Sequence, residues 1–207
     1  MTENPGQLTF GAGDETGDTG VPGLLCTAGW LTAESCRELL SEIDSEPWST
    51  ELRRRVQHYG HRYDYGSRSV SADHTVSAAA PLPHWAQEQA RLLVQEGIME
   101  TTPDQVIVNE YEPGQGISAH LDCVPCFGPV VAAITLGSGC VMDFSHKASG
   151  ARVPVRLAPG SLCVMTGPAR YDWRHAIAAR KSDPGPAGRV PRGRRVSVTF
   201  RTVLKAA

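Results

Sequence analysis

From Pro103 onward, the chain is a series of short β-rich segments separated by turn residues, and this pattern constrains the possible folds more than any other feature of the sequence. Turns containing glycine and proline separate several of these segments. Many short strands preceded by helices predict an α+β, mainly β protein, built as a β-sandwich or jelly roll with helices packed on one side. The seven segments expected to form strands are 105–111, 117–122, 130–136, 140–144, 153–157, 161–166 and 194–203.

Two helices are predicted before these strands, because apolar residues there recur every three to four positions. The first extends from Thr32 to Ile43 and ends before Pro47. The second extends from Pro83 to Glu96. Both precede the residues that carry chemistry, so we expect them to support the β-rich part of the chain.

Length and composition predict one globular domain. The chain has 207 residues, of which 41% are hydrophobic and 20% charged, and this composition does not fit a disordered chain. Residues 1–20 are rich in Gly, Thr and acidic residues, so we expect a flexible tail followed by a single domain over residues 21–207. A Pro- and Gly-rich run at 184–188 predicts a flexible excursion before the last strand.

Charge and hydropathy exclude several classes of protein. No apolar run approaches the roughly 18 residues of a membrane span, and the N-terminal residues lack the features of a secretory signal. We therefore expect a cytoplasmic protein with no membrane partner, and we expect it to be a monomer. The net charge of −2 excludes nucleic-acid binding through overall charge, so any such contact must be local.

Among the six cysteines, only Cys123 and Cys126 have the spacing of a metal-binding or redox pair. A structural zinc site usually needs a second pair or spaced histidines, and the sequence has no second pair. Reduced thiols in a loop are the favoured interpretation, and a second metal site is the alternative.

The pattern His120-Leu121-Asp122, followed by His175, is the main chemical signal. Residues two apart in a strand point to the same side, so His120 and Asp122 could share a metal ion. His175 would complete a set of two nitrogens and one carboxylate. In non-haem Fe(II) oxygenases, such a set of three ligands leaves three coordination positions of the iron open. The short HxD pattern is also common by chance at surfaces and turns, so neighbouring residues must support it.

Polar residues on two neighbouring strands give that support. Asn109 and Tyr111 lie two apart and face the same way. In the final strand, Arg195 and Arg201 share one face, and two such guanidinium groups could bracket a short dicarboxylate in bidentate fashion. An edge strand with an outward polar face is the alternative for these arginines.

These motifs resemble those of the AlkB-type Fe(II)/2-oxoglutarate dioxygenases, over residues 21 to 204. The resemblance is closest to the branch that contains the AlkB domain of a tRNA wobble-uridine hydroxylase, through segments 54–60, 141–144 and 164–167. The matching stretches are NEYEPGQGI (109–117), HLD (120–122), ITLGS (134–138), GPAR (167–170), WRHAI (173–177) and RVSVTFR (195–201).

The resemblance implies a double-stranded β-helix, or jelly roll, with N-terminal helices and a nucleotide-recognition lid. Fe(II) would be the metal, and 2-oxoglutarate and O2 the cosubstrates. The implied Fe(II) ligands are His120, Asp122 and His175. The residues implied to hold 2-oxoglutarate are Arg195 and Tyr111 at its distal carboxylate, and Asn109 and Arg201 nearer the metal. The residues implied to contact the substrate are Arg55, Tyr63, Tyr65 and Arg170.

Two positions depart from the family pattern. Some members have Asn where this chain has Ser197, close to the cosubstrate. The founding member has an acidic residue that meets the target base where this chain has Val124, so the resemblance does not define which base is preferred.

The implied activity is oxidative dealkylation of methylated bases in DNA or RNA, with alkylated nucleic acid as partner. Residues 51–68 support this, since five arginines, two histidines and three tyrosines could bind phosphates and stack on a flipped base. A solvated loop is the alternative there, as it is for a second basic cluster within residues 180–194. The alternative activities are hydroxylation or demethylation of a modified tRNA base, and more weakly protein demethylation. A non-catalytic nucleic-acid or protein-binding module is the alternative of another class, but buried converging polar groups would be costly without a ligand.

Overall fold

The structure, a computed structural model, describes residues 19–61, 63–64, 69–70 and 79–204. Three helices and fourteen strands lie in these residues. Within them, no helix combines the length and apolar character needed to cross a membrane. In chain order the elements are β1 (Leu24–Thr27), α1 (Ala33–Ser45), β2 (Val56–Tyr59), β3 (Tyr63–Asp64), β4 (Ser69–Val70), α2 (His84–Gln95), β5 (Gln105–Tyr111), β6 (Ile117–His120), β7 (Val131–Gly137), β8 (Cys140–His146), β9 (Arg152–Leu157), β10 (Leu162–Met165), α3 (Gly167–Tyr171), β11 (Trp173–Ile177), β12 (Ser182–Gly185), β13 (Gly188–Pro191) and β14 (Arg195–Arg201).

The strands form two main antiparallel sheets. The larger sheet has six strands in the order β1-β10-β7-β14-β5-β2, and the smaller has four in the order β6-β11-β8-β9. Two short hairpins, β3-β4 and β12-β13, lie outside them. The α+β, mainly β architecture predicted from the sequence is therefore confirmed.

Helices α1 and α2 pack on one face of the larger sheet. Thr32 caps α1, since its hydroxyl accepts a hydrogen bond from the Ser35 backbone N–H at 3.1 Å. Alternate residues of the sheet strands point toward the helices and exclude water there. The buried cluster on this side includes Leu39, Ile43, Trp85, Leu93, Val106, Val108, Ile134, Val196, Val198 and Phe200.

The opposite face of the larger sheet packs against the smaller sheet. Side chains of both sheets form a second apolar cluster, which includes Val131, Met142, Phe144, Val155, Met165, Trp173 and Ile177. The polar residues of β5 and β14 that alternate with the helix-facing ones therefore point into the space between the two sheets. This space contains the candidate site.

Strand limits differ from the sequence prediction at two places that matter. β6 ends at His120, so Asp122 lies in the following loop and not in the strand. Residues 184–188, predicted as a flexible excursion, belong to the β12-β13 hairpin, in which Pro184 pairs with Arg189. Proline is tolerated there because this two-stranded hairpin leaves one of its edges unpaired.

A buried carboxylate holds the β12-β13 hairpin to the smaller sheet. Asp183 is 2% exposed and accepts hydrogen bonds from Arg180, Arg192 and the Val141 backbone N–H. Burial alone would raise the pKa of Asp183, but these hydrogen bonds and the charge of Arg192 outweigh burial and lower the pKa to about 2. The Asp183 side chain is therefore ionised in the folded protein at neutral pH.

Replacing Asp183 with asparagine should lower the free energy of unfolding at neutral pH by about 3 kcal/mol, because buried Arg192 loses its counter-charge. The folded pKa of Asp183 lies below its ordinary value of 3.8, so the stabilisation is complete above that value and is lost as the pH falls toward 2. Urea unfolding should therefore show that the difference in unfolding free energy between wild type and Asp183→Asn becomes smaller from pH 7 to pH 3. Asp172→Asn is the control, since its exposed pair with Lys147 contributes under about 1 kcal/mol. A difference in unfolding free energy that does not change with pH would contradict the prediction.

Candidate active site

Two histidines and one aspartate meet between the sheets. His120 ends β6, Asp122 lies in the following loop, and His175 lies in β11. The two histidines are direct partners across the β6-β11 pair, and their ring centroids are 4.3 Å apart. One possible ligand atom from each of the three residues lies within 4.8 Å of the other two. In the described ranges, this is the only group of three such side chains with that spacing.

The Asp122 carboxylate is held in its ionised form. Burial would raise its pKa, but the charge of Arg201 and its hydrogen bonds to the carboxylate hold the pKa of Asp122 well below its ordinary value. Arg201 also donates hydrogen bonds from Nη2 to Oδ1 at 3.2 Å and from Nε to Oδ2 at 3.3 Å. An anionic oxygen donor is therefore present at neutral pH.

Both histidines present a ring nitrogen that could coordinate a metal. Burial, together with the nearby His120, lowers the pKa of His175 to about 4, so its ring is uncharged at neutral pH. The Nδ1 of His120 lies 2.8 Å from the Ser118 carbonyl oxygen, so Nδ1 carries the proton and donates it. The other ring nitrogen, Nε2, then faces Asp122 and lies 3.8 Å from its Oδ1.

Strands β5 and β14 form a polar track that begins beside this triad. Their register pairs Arg201 with Gln105 at one end, and Arg195 with Tyr111 at the other. Asn109 and Ser197 face each other between the two ends. At the triad end, Arg201 donates to Gln105 Oε1 at 3.0 Å as well as to Asp122.

The far end of this track holds a buried cation with unused hydrogen-bonding capacity. Arg195 is 3% exposed, and its Nη2 donates to Thr135 Oγ1 at 3.0 Å. Its Nε and Nη1 atoms, although buried, have no hydrogen-bond partner in the part of the chain that the structure describes. The guanidinium lies 5.5 Å from the centroid of the Tyr111 ring. A buried cation with free donors is costly unless an anion joins it, and a carboxylate fits the guanidinium in bidentate fashion.

The residues therefore fit both parts of the implied cofactor system. The triad has the donor set of a non-haem Fe(II) site, with one carboxylate and two imidazoles. The polar track offers a dicarboxylate a cation at each end, one beside the triad and one at Arg195. Gln105 and Thr135 were not identified from the sequence, although Gln105 lies on the same strand face as Asn109 and could have been found from that periodicity.

The structure places Arg170, which is expected to contact the substrate, beside the loop that carries Asp122. Its side chain is buried, with 2% exposure, and points into the loop that follows Asp122. It donates hydrogen bonds to the carbonyl oxygens of Asp122, Cys123, Phe127 and Gly128. In this structure Arg170 therefore shapes the loop that carries Asp122, and its contact with a substrate stays a prediction.

Arg55, which is expected to contact the substrate, lies beside β5, and this role stays a prediction. It forms a bidentate ion pair with Glu110, which projects from β5 toward the helices and also pairs with Arg194. Its neighbour Arg54 points to the site side instead, where its Nε donates to Asn109 Oδ1 at 2.8 Å. The sequence placed three arginines in a row and could not distinguish their faces. The side chain of Tyr63 and the whole of Tyr65 lie outside the described residues.

Two arginines of the second basic cluster, Arg180 and Arg192, pair with Asp183. Arg194 bridges Asp44 of α1 and Glu110 of β5. Much of the positive charge of this cluster is therefore neutralised within the fold, and these arginines serve stability.

Truncation of Arg54 should lower turnover, whereas truncation of Arg55 should lower stability. Arg54→Ala removes the donor that orients Asn109, so we expect turnover to fall about tenfold with little change in stability. Arg55→Ala leaves Glu110 paired with Arg194, so we expect the free energy of unfolding to drop by about 1 kcal/mol while turnover is kept. Steady-state kinetics and urea unfolding of both variants test this, and equal effects on turnover would contradict it.

The structure joins Cys123 and Cys126 in a disulfide. The favoured expectation of reduced thiols is therefore wrong for this pair, and a disulfide leaves no thiolate to ligate a second metal. The spacing of the pair showed that the two sulfurs could meet, but the sequence does not define their oxidation state. The other four cysteines are free, including Cys26 and Cys163, whose sulfurs lie 3.5 Å apart.

Comparison with protein families and curated sequences gives consistent matches. The sequence profile of the 2OG-Fe(II) oxygenase superfamily matches residues 23–201. The chain is 37% identical over 169 residues to the tRNA (carboxymethyluridine(34)-5-O)-methyltransferase alkbh8 of Xenopus tropicalis, a match that covers 78% of this chain and 26% of that protein. It is 31% identical over 206 residues to the alkylated DNA repair protein ALKBH8 homolog of Arabidopsis thaliana, covering 88% and 59% of the two chains. The chain thus spans about a quarter of the length of the first relative.

Solved structures share the fold. The structure of OsALKBH1 aligns with a TM-score of 0.64 at 18% identity and covers 87% of this chain and 97% of that one. A prolyl-4-hydroxylase from Pseudomonas putida aligns with a TM-score of 0.54 at 18% identity, covering 89% and 94%. Both matches support the predicted jelly roll.

Proposed function

The chain belongs to the 2OG-Fe(II) oxygenase superfamily, and from this membership we propose that it oxidatively dealkylates methylated bases in DNA or RNA. The observation that carries the proposal is the His120, Asp122 and His175 triad beside a track that ends at the unsatisfied guanidinium of Arg195. When bound, Fe(II) and 2-oxoglutarate supply the oxidising power, so that the cosubstrate and O2 yield succinate and CO2 and one oxygen atom enters a substrate C–H bond. Hydroxylation of an N-methyl group releases formaldehyde.

The triad residues would hold the metal and would not transfer protons. Asp122 contributes the anionic oxygen because Arg201 keeps it ionised. His175 contributes a neutral nitrogen because burial favours its uncharged form. Three protein ligands leave the remaining positions for cosubstrate and oxygen.

The polar track would bind and orient 2-oxoglutarate. Arg195 would bind the distal carboxylate, beside Tyr111, through Nε and Nη1, which have no hydrogen-bond partner among the described residues. Asn109 and Arg201 would lie nearer the metal end, where Arg201 also keeps Asp122 in position. The apolar cluster between the sheets would exclude water from the reacting groups.

A nucleic-acid substrate is supported by local basic surfaces and by the names of the relatives. Arg174 of β11 and Arg152 of β9 are exposed and flank Ser145 across the outer face of the smaller sheet. Arg156 is exposed on the same face of β9. Such exposed arginines can neutralise phosphates in a chain whose net charge is only −2. One relative is named as an alkylated DNA repair protein.

The direct test is formaldehyde release from an oligonucleotide that contains 1-methyladenine or 3-methylcytosine, in the presence of Fe(II), 2-oxoglutarate and O2. We expect release in proportion to succinate, and loss of both in a His120→Ala variant. Succinate formation without formaldehyde from either base would overturn dealkylation of these bases. Failure to decarboxylate 2-oxoglutarate would favour a non-catalytic binding module.

Oxidation of a modified tRNA base is the second candidate, because the relative that is 37% identical over 169 residues is named as a tRNA methyltransferase. Mass spectrometry of nucleosides from treated tRNA distinguishes its two forms. Hydroxylation adds one oxygen to the affected nucleoside, whereas demethylation removes one methyl group. Unchanged tRNA nucleosides would remove this candidate.

A further inference from the structure

The loop that follows Asp122 carries a disulfide that the proposed oxygenase chemistry does not use. Cys123 is the next residue after Asp122, and its bond to Cys126 closes a small ring at the start of the loop. We propose that this disulfide is a reversible thiol-exchange site that reacts with small thiols. Its reduction makes the loop less ordered and lowers the affinity of the Asp122 site for the metal. The proposal rests on Asp122 as a metal ligand and not on the identity of the substrate.

Arg170 ties both ends of the disulfide-closed ring to α3. It donates to the carbonyl oxygens of Asp122 and Cys123 at one end, and of Phe127 and Gly128 at the other. The four carbonyls can converge on one guanidinium because the chain turns sharply between them. The disulfide restricts that turn, so its reduction allows the carbonyls to separate and the hydrogen bonds to weaken.

A second contact links the ring to the metal site. Phe127 follows Cys126 and is 3% exposed. The Cζ atom of Arg201 lies over the Phe127 ring, 4.9 Å from the ring centroid. Arg201 in turn donates to both oxygens of Asp122. A shift of residues 126–127 would therefore move the group that orients and charges the Asp122 carboxylate.

The disulfide is open to attack from one side. Cys123 is partly exposed and Val124 is 42% exposed, whereas Cys126 is 9% exposed. A thiolate of a small dithiol would attack Cys123 Sγ, break the S–S bond and leave the Cys126 thiolate, which takes up a proton. The second thiol of the reductant then attacks the mixed disulfide and releases Cys123. Two electrons and two protons pass to the protein, and the dithiol leaves as its own disulfide.

The pair is better suited to this exchange than to holding a second metal. Within the described residues, the only group of three His, Cys, Asp or Glu side chains with metal-ligand spacing is the triad itself. The described part of the chain therefore does not bring the reduced sulfurs together with the further ligands of a structural zinc site. Small disulfides can reoxidise the pair, which makes the change reversible.

The test compares the oxidised full chain with the same chain reduced by a dithiol and desalted under nitrogen. Alkylation and mass spectrometry should count two more free thiols in the reduced chain. Titration with Mn(II), which prefers oxygen and nitrogen donors to thiols, should give a dissociation constant about tenfold higher after reduction. Reoxidation with a small disulfide should restore the original value.

Two variants make the test decisive. Cys123→Ser/Cys126→Ser should bind Mn(II) like the reduced chain and should not respond to dithiol. Cys26→Ser, which alters a free cysteine outside the loop, should respond as wild type does. Equal Mn(II) affinity before and after reduction, or a redox response that persists in the double variant, would overturn the proposal. The titration contains no nucleic acid, so its outcome is independent of the substrate assays.

Discussion

Arg195→Met is expected to raise the KM for 2-oxoglutarate by about a hundredfold, because the buried guanidinium is the cation placed to receive the distal carboxylate. Its Nε and Nη1 atoms have no partner in the described residues, and its Nη2 is already bonded to Thr135. Removing one partner of a buried charge pair costs about 2 to 5 kcal/mol, and about 1.4 kcal/mol corresponds to a factor of ten. Steady-state kinetics with varied 2-oxoglutarate measure the change.

The same substitution should leave the stability of the ligand-free protein unchanged or slightly higher. Arg195 is 3% exposed with two unsatisfied donors, so the folded protein loses a costly buried charge when methionine replaces it. Arg201→Met is the matched control, since it removes the partner of buried Asp122 and should lower the unfolding free energy. If Arg195→Met destabilises the ligand-free chain as much as Arg201→Met does, Arg195 has a structural and not a binding role.

His120→Ala should reduce Mn(II) affinity at least about a hundredfold and abolish turnover of 2-oxoglutarate. Loss of an outer partner of a metal ligand already costs 10- to 100-fold, so loss of one of three ligands should exceed that range. The His120 side chain is 35% exposed, so truncation leaves little buried space and the fold should persist. Mn(II) titration and succinate formation measure the two effects.

His146→Ala serves as the control for this experiment. His146 lies in β8 of the same sheet, and its Nδ1 hydrogen-bonds with Ser149, away from the triad. This variant should bind Mn(II) and turn over 2-oxoglutarate as wild type does. Retained metal binding in His120→Ala, or a comparable loss in His146→Ala, would contradict the assignment of the triad.

Local sequence patterns predicted much of the fold. The segment 105–111 coincides with β5, and the alternation in 194–203 correctly separated the residues of β14 that face the helices from those that face the other sheet. Thr32 marked the beginning of α1, where it caps the helix. These features follow from periodicity and capping, which depend on near neighbours in the sequence.

Contacts between distant segments could not be predicted in the same way. Arg170 lies more than forty residues from the carbonyls that it binds, and nothing near it in the sequence indicates those partners. Which of Arg54 and Arg55 faces the site depends on the pairing of β2 with β5, because the residues before β2 follow its direction. The resemblance identified the motifs, but only the packed chain separates a residue that contacts ligand from one that supports the loop.

The position of β6 has a consequence for how the protein moves. It is one of the two edge strands of its sheet and, among the strands that the structure describes, pairs only with β11. Its backbone should therefore open to solvent more often than the strands inside the sheet. His120, the last residue of β6, pairs with His175 of β11, and Asp122 lies two residues after His120. A divalent ion bound by these three side chains would hold β6 against β11. Amide hydrogen exchange along 117–120 should therefore slow as the ion is added.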